Sequence, residues 1–233
     1  MCGRFVVAGS NKDLVDLFDV DTVADDLPEP SWNISPTDPV RVVLESLKDE
    51  QVTRRMEAAR WWLTPSFSKE LKTKAPTFNA RSETVGSKPT FRPSLESRRA
   101  LIPASGYYEW RTEGKTKIPF YIHLPGEPVV FAGLYAWWRN RELPDDHPNR
   151  WVLSSTILTR QAVGPVAEIH DRTPVTLPRE FWNEWLDPTT KGTQELADEA
   201  VAAATPVAEQ LQFHEVAPVR EESPLLIEPL NPA

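Results

Sequence analysis

The chain is poor in cysteine: its 233 residues contain one, Cys2. An intramolecular disulfide and a cysteine-built zinc cage are both excluded, and the chain reads as a protein of a reducing compartment. No apolar run approaches the roughly 18 residues of a membrane span, and no basic start leads into an apolar segment. The expectation is a cytoplasmic protein with no membrane partner. The four histidines, His123, His147, His170 and His214, include no short-spaced ligand pair, so no metal and no cofactor are expected. A phosphate-cradling glycine-rich loop and a G-x-S-x-G elbow are also missing. The reactive groups left are a thiol near the start of the chain and the amine beside it.

With 26.4 kDa and 40% apolar residues, the chain can bury a full core. One domain over residues 1–233 is expected, with a C-terminal helix and tail from 191, and a monomer is the default. The 23 prolines are scattered and read as rigid turns. The net charge of −8 opposes a nucleic-acid partner taken whole. Its distribution does not: residues 51–120 hold fourteen Lys/Arg against six Asp/Glu. A basic middle in an acidic chain suggests a localised anion-binding surface, although a solvated face of intermixed charge reads the same way. Ser10 and Asp13 form a capping signature before Leu14, Leu17 and Phe18, predicting a helix over 11–18. Strands are predicted at 41–44, 55–61, 120–124, 129–135 and 151–158. A helix opens at Pro178 with Phe181, Trp182, Trp185 and Leu186 on one face, another covers 194–204, and 139–149 is an exposed loop.

If Met1 is removed, Cys2 carries a 1,2-aminothiol. A free α-amine has a pKa of about 7.7–8.0 against about 10.4 for lysine, so roughly a tenth of it is a nucleophile at neutral pH. It can attack an aldehyde, after which the thiol adds to the imine and closes a five-membered ring. Three polar segments stand out beside it: Asn79 to Glu83, Ser105 to Trp110, and Ile169 to Pro174. Glu109, between Tyr108 and Trp110, is a candidate acid/base, or a strand-edge glutamate facing water. His170 could move protons, or be a loop histidine held by Asp171. Arg81 and Arg172 suit phosphates, though surface ion pairs are the usual employment of such arginines.

MCGRF at the start, WNISPT at 32–37, RWWLTPSF at 60–67, FNARSETV at 78–85, RRALIPASGYYEW at 98–110 and IHDRTPVTL at 169–177 together resemble the SOS response-associated peptidase (SRAP) family. The resemblance is strongest over 2–190. It implies an α+β fold, a single domain with a strand-rich, barrel-like β core and a few flanking helices. It also implies a basic cleft for single-stranded DNA containing abasic sites, and a DNA-modifying crosslinking or lyase-type activity with a thiol-dependent autopeptidase. In the family, the processed N-terminal cysteine ends as a thiazolidine with the ring-opened sugar, in the DNA damage and SOS response. The carried-over catalytic residues are Cys2, Asn79, Glu109 and His170. The carried-over DNA contacts are Arg4, Arg81, Trp110 and Arg172, with Asn33 shaping the site. Phe67 is expected to stack a base, and Lys88 and Arg92 lie near further basic contacts.

Trp62 stands where the family usually has Gly, Phe67 where Trp is usual, and Thr173 where a larger residue is common. These changes bear on the binding surface more than on the chemistry. The rival enzyme is an N-terminal-nucleophile cysteine amidohydrolase or amidotransferase, which also can begin Met-Cys-Gly; the glutamine-binding motifs it needs are not visible. A non-catalytic DNA-binding protein with an idle Cys2 is the third reading.

Overall fold

A computed structural model of the chain describes residues 2–230. Thirteen strands form among them: β1 (Arg4–Val7), β2 (Thr22–Val23), β3 (Ser31–Ile34), β4 (Pro39–Lys48), β5 (Gln51–Trp61), β6 (Asn79–Arg81), β7 (Arg99–Ala104), β8 (Gly106–Glu113), β9 (Thr116–His123), β10 (Val129–Arg139), β11 (Trp151–Gln161), β12 (Arg172–Pro174) and β13 (Gln212–Glu215). The α-helices are α1 (Asn11–Phe18), α2 (Arg92–Ser97), α3 (Trp182–Leu186), α4 (Gln194–Ala203) and α5 (Thr205–Gln210). This is the expected α+β architecture, with a β-barrel at its centre.

The barrel follows from one pairing. Strands β5, β4, β7, β10 and β11 run antiparallel in that order, and β11 returns to β5 as a parallel neighbour through Ser154 opposite Arg60 and Ser155 opposite Trp61. Closure leaves these strands no bare edge along the paired length. The β4–β5 hairpin turns at Asp49 and Glu50, with φ of 50° and 64°, a left-handed pair that suits the twist of a two-residue hairpin. Its strands extend past the predicted apolar segments because ladder hydrogen bonding continues into the solvated half of the hairpin.

The second sheet is ordered β13-β9-β8-β1-β3. It is fastened to the barrel by aromatic side chains: Phe5 of β1 packs edge-on to Trp61 at 4.8 Å and to Phe131 at 5.8 Å, and Tyr107 of β8 meets Phe131 at 5.9 Å. Strands β7 and β8 were not among the predicted ones, and each contains a residue that disguises it. Arg99 opens β7 because its guanidinium turns inward and donates to the carbonyls of Trp185 (2.6 Å), Leu95 (3.0 Å), Thr190 (2.9 Å) and Asp187. Gly106 is no turn glycine: a Cβ there would lie 2.5 Å from the Tyr121 ring and 2.6 Å from the Ile122 carbonyl, so it permits close approach of β9.

Helix α1 has the predicted bounds and capping box, Ser10 Oγ accepting the Asp13 N–H and Asp13 accepting the Ser10 N–H. Its Phe18 ring sits 4.7 Å from Trp182 of α3. The helix expected from Pro178 begins as a 3-10 turn and is helical only over Trp182–Leu186. The one expected over 194–204 is followed, after a break at Ala204, by α5, with Pro206 in its first turn. The stretch after β13 straps the edge strand β3, Glu222 accepting from the Trp32 N–H (2.5 Å) and the Ser31 hydroxyl (3.0 Å). Among the described residues, no helix is long and apolar enough to cross a membrane.

Candidate active site

Cys2 immediately precedes β1 and is fully buried, its Sγ 3.8 Å from the Arg4 carbonyl. Burial, and then the nearby Glu109 carboxylate, push the thiol well above its ordinary range. Asn79 opens β6, whose parallel pairing with Ile157 to Thr159 of β11 brings it under the chain start. Its Nδ2 donates to the Cys2 carbonyl at 2.7 Å, and its Oδ1 is buried with no hydrogen-bond partner among the described residues. Glu109 lies on β8, one residue on from Tyr108, which pairs with Arg4, and is 4% exposed.

Glu109 also lines a cleft of about 630 Å³, together with Phe78, Arg81, Trp110, His170 and Arg172, with Lys117 at its side. His170 Nδ1 accepts the Arg172 N–H at 3.0 Å and lies 2.8 Å from Asp171 Oδ1. One nitrogen cannot serve both as acceptor and as donor. With Nδ1 accepting the backbone N–H, the ring's own N–H is on Nε2.

Arg172 is engaged within the protein. It forms a two-pronged pair with Glu83, at 2.5 and 3.0 Å, and donates to the Thr159 carbonyl at 2.8 Å, which ties β12 to β11 and to the turn after β6. The same hydrogen bonds hold the Glu83 carboxyl below its ordinary value. Arg4 donates to Asn33 Oδ1 at 2.6 Å, and Asn33 in turn donates to the Arg220 carbonyl at 3.2 Å. Arg81, exposed at the end of β6, and Trp110 stand on the cleft wall. Phe67 stands apart from it, 62% exposed beside a second pocket of about 450 Å³. Lys88 and Arg92 line neither cavity, and Arg92 lies 3.9 Å from Glu96.

The basic middle of the chain thus divides. Arg54 (with Glu45), Arg55 (with Glu57) and Arg111 (with Glu113) are ion-paired, and Arg99 is buried on carbonyls. Arg81 and Lys117 face the cleft, and Lys69, Lys72 and Lys74 line the second pocket. Sequence reasoning did not single out Lys117, the Glu83 clamp, or the buried pair of Tyr107 hydroxyl and Thr173 Oγ1 at 2.8 Å. Thr173 supplies the second hydroxyl of that pair, and the only earlier sign of Glu83 was its position two residues after Arg81. His123 and His214, 91 positions apart, meet edge-on with ring centres 5.6 Å apart on β9 and β13, and neither lines the cleft.

A family model described as SOS response associated peptidase (SRAP) matches residues 1–220. The chain is 37% identical over 194 residues to abasic site processing protein YoqW of Bacillus subtilis, covering 81% of each chain. It is 30% identical over 239 residues to abasic site processing protein YedK of Escherichia coli, covering 99% of this chain and all of that one. Among solved structures, a protein from Bacteroides thetaiotaomicron superposes with a TM-score of 0.80 at 18% identity, covering 99% of this chain and all of that one. A phage-related protein from Bordetella bronchiseptica superposes with a TM-score of 0.67 at 30% identity, covering 92% and 94%.

Proposed function

The chain belongs to the SOS response associated peptidase family, and on that premise we propose that it captures abasic sites in single-stranded DNA as a covalent adduct of Cys2. The observation that carries the reading is the meeting of Cys2 with the Asn79 amide and with the Glu109 carboxylate, which itself lines a cleft bearing Arg81, Trp110 and His170.

Met1 lies outside the described residues and has to be removed first, which frees the α-amine of Cys2. The freed α-amine adds to the C1′ aldehyde of the ring-opened sugar, and loss of one water gives an imine. The thiol then adds across the C=N bond, sulfur to carbon and its proton to nitrogen, closing a thiazolidine. Asn79 holds the Cys2 carbonyl through Nδ2 and offers Oδ1 to the amine. Glu109 and the Nε2–H of His170 move protons during ring opening and dehydration. Arg81 holds a flanking phosphate, Trp110 stacks a neighbouring base, and Arg172 keeps β12, and with it His170, in place through Glu83.

The test is incubation with a single-stranded oligonucleotide bearing one abasic site, read by denaturing gel and intact mass. Wild type is expected to give a stable adduct lacking Met1. Cys2→Ser keeps the amine and is expected to give an adduct that survives denaturation only after borohydride reduction of the imine. No adduct from wild type, or the same stable adduct from Cys2→Ala, refutes the reading; amide hydrolysis without DNA supports the amidohydrolase instead.

A further inference from the structure

Arg41 is a charge set inside an apolar run, Val40 to Leu44, that β4 buries on both of its faces. Three arginines are buried among the described residues, and two of them are compensated. Arg99 donates to backbone carbonyls, and Arg150 is paired with Asp145. Arg41 is only 2% exposed, and its Nε and Nη2 have no hydrogen-bond partner among the described residues. It lines a cavity of about 200 Å³ that shares no residue with the cleft. We propose that this cavity is a binding site for a small monocarboxylate, whose two oxygens accept from Nε–H and Nη2–H while its short apolar body fills the remaining space. The inference does not rest on the abasic-site reading.

The argument begins with the cost of the residue. A guanidinium keeps its charge at any ordinary pH, so its burial is not relieved by loss of the proton. Burial presses its pKa down, and the Glu29 carboxylate opposes that. A buried charge without a partner is strongly destabilising, and native structures pair such groups. Nε and Nη2 share one edge of the guanidinium, and their parallel N–H groups match the two oxygens of a carboxylate.

The rest of the cavity narrows the ligand. Its walls are largely apolar, with Val7 of β1, Pro28, Ile34 of β3, and Pro39 and Val40 of β4. Its volume lies below the roughly 300–1,000 Å³ of drug-sized sites, so it suits a body of a few carbons. Two acids also line it, Glu29 and Asp38. Asp38 accepts the Ser35 N–H at 2.8 Å, and Glu29 is exposed, where water screens it. The guanidinium has no such screening and governs the interior. The acids disfavour a dianion such as phosphate more than a ligand with one negative charge, and Glu29 is the group a bound carboxylate has to displace as Arg41's nearest countercharge.

The experiment titrates sodium acetate, propionate and butyrate into the full chain, with sodium chloride at equal ionic strength and sodium phosphate as comparisons, reading thermal midpoint and calorimetric Kd. The carboxylates are expected to raise the midpoint saturably, more so with each added carbon, and chloride and phosphate are not. Arg41→Leu should weaken butyrate binding by about tenfold or more. Glu29→Gln, at an exposed position, removes the competing carboxylate and should tighten it by about two- to fivefold; it carries the test alone if Arg41→Leu fails to fold. The proposal is overturned by the absence of saturable stabilisation in wild type, by an equal response to phosphate, by undiminished binding in Arg41→Leu, or by unchanged or weaker binding in Glu29→Gln.

Discussion

Asn79→Ala tests the positioning of the reactive amine without touching the thiol or the carboxylate. The substitution removes the 2.7 Å hydrogen bond to the Cys2 carbonyl and the buried Oδ1 assigned to the α-amine. Each neutral hydrogen bond of this kind contributes about 0.5–1.5 kcal/mol net, so the pair amounts to about 1–3 kcal/mol. At about 1.36 kcal/mol per tenfold, adduct formation should slow by about 5- to 160-fold. Asn79 does not line the cleft, so DNA binding should change little. The assay is single-turnover crosslinking at saturating oligonucleotide, beside anisotropy binding of an oligonucleotide whose abasic sugar has been reduced to the alcohol and has no aldehyde. Asn79→Asp retains shape and an acceptor but loses the donor, and its charge favours the protonated amine, so it should be at least as slow as Asn79→Ala at neutral pH. Crosslinking within twofold of wild type in Asn79→Ala, or a loss of rate fully matched by weaker binding to the reduced oligonucleotide, refutes the positioning role.

Glu83→Gln should flatten the acid limb of the stability profile. The folded carboxyl is held below its ordinary 4.5 by Arg172, so its stabilisation is present above that pH and disappears as pH falls through the depressed value. Because the Glu83 side chain is 48% exposed, the loss is under about 1 kcal/mol, read as melting midpoint against pH. Arg99→Met leaves several carbonyls of the α2–β7 and α3 segments without their donor, and should cost about 3–5 kcal/mol in urea unfolding; a loss below about 1 kcal/mol would show that water replaces the guanidinium. Gly106→Ala forces a Cβ against Tyr121 and Ile122 and should destabilise by about 1–3 kcal/mol. Crosslinking should fall further than stability predicts, because the displaced strand carries Glu109 and Trp110.

The sequence was most legible where a structure is made by neighbours. Ser10 and Asp13 define the start of α1 from three residues apart, and four of the five barrel strands, β4, β5, β10 and β11, announce themselves by β-branched and aromatic runs. It was least legible where a residue acts through a distant partner. Arg99 looks like a charge that ends a strand, yet its partners lie more than 85 residues onward in Trp185 and Asp187. Gly106 looks like a turn until Tyr121 is laid against it. At the site, ordered motifs marked Cys2, Asn79, Glu109 and His170, but charge counting alone could not separate arginines engaged in ion pairs from those facing the cleft. Arg172 illustrates the difficulty, since Glu83, its partner, is 89 positions away.

The burial of Cys2 bears on the order of bond formation. A thiol raised by burial beside a carboxylate is a poor source of thiolate at neutral pH, which weighs against an amidohydrolase, where sulfur must attack first. The α-amine needs no such activation, since roughly a tenth of an ordinary one is already free. On the proposed mechanism, carbon–nitrogen bond formation therefore comes first, and it changes the site for the later step at sulfur. Dehydration of the carbinolamine passes through an iminium cation on the same framework as the thiol, and a positive charge that close favours the thiolate. On that mechanism the sulfur becomes nucleophilic only once its electrophile is in place, so a buried thiol would be protected from unproductive reaction while the cleft is empty and available after the aldehyde has been captured.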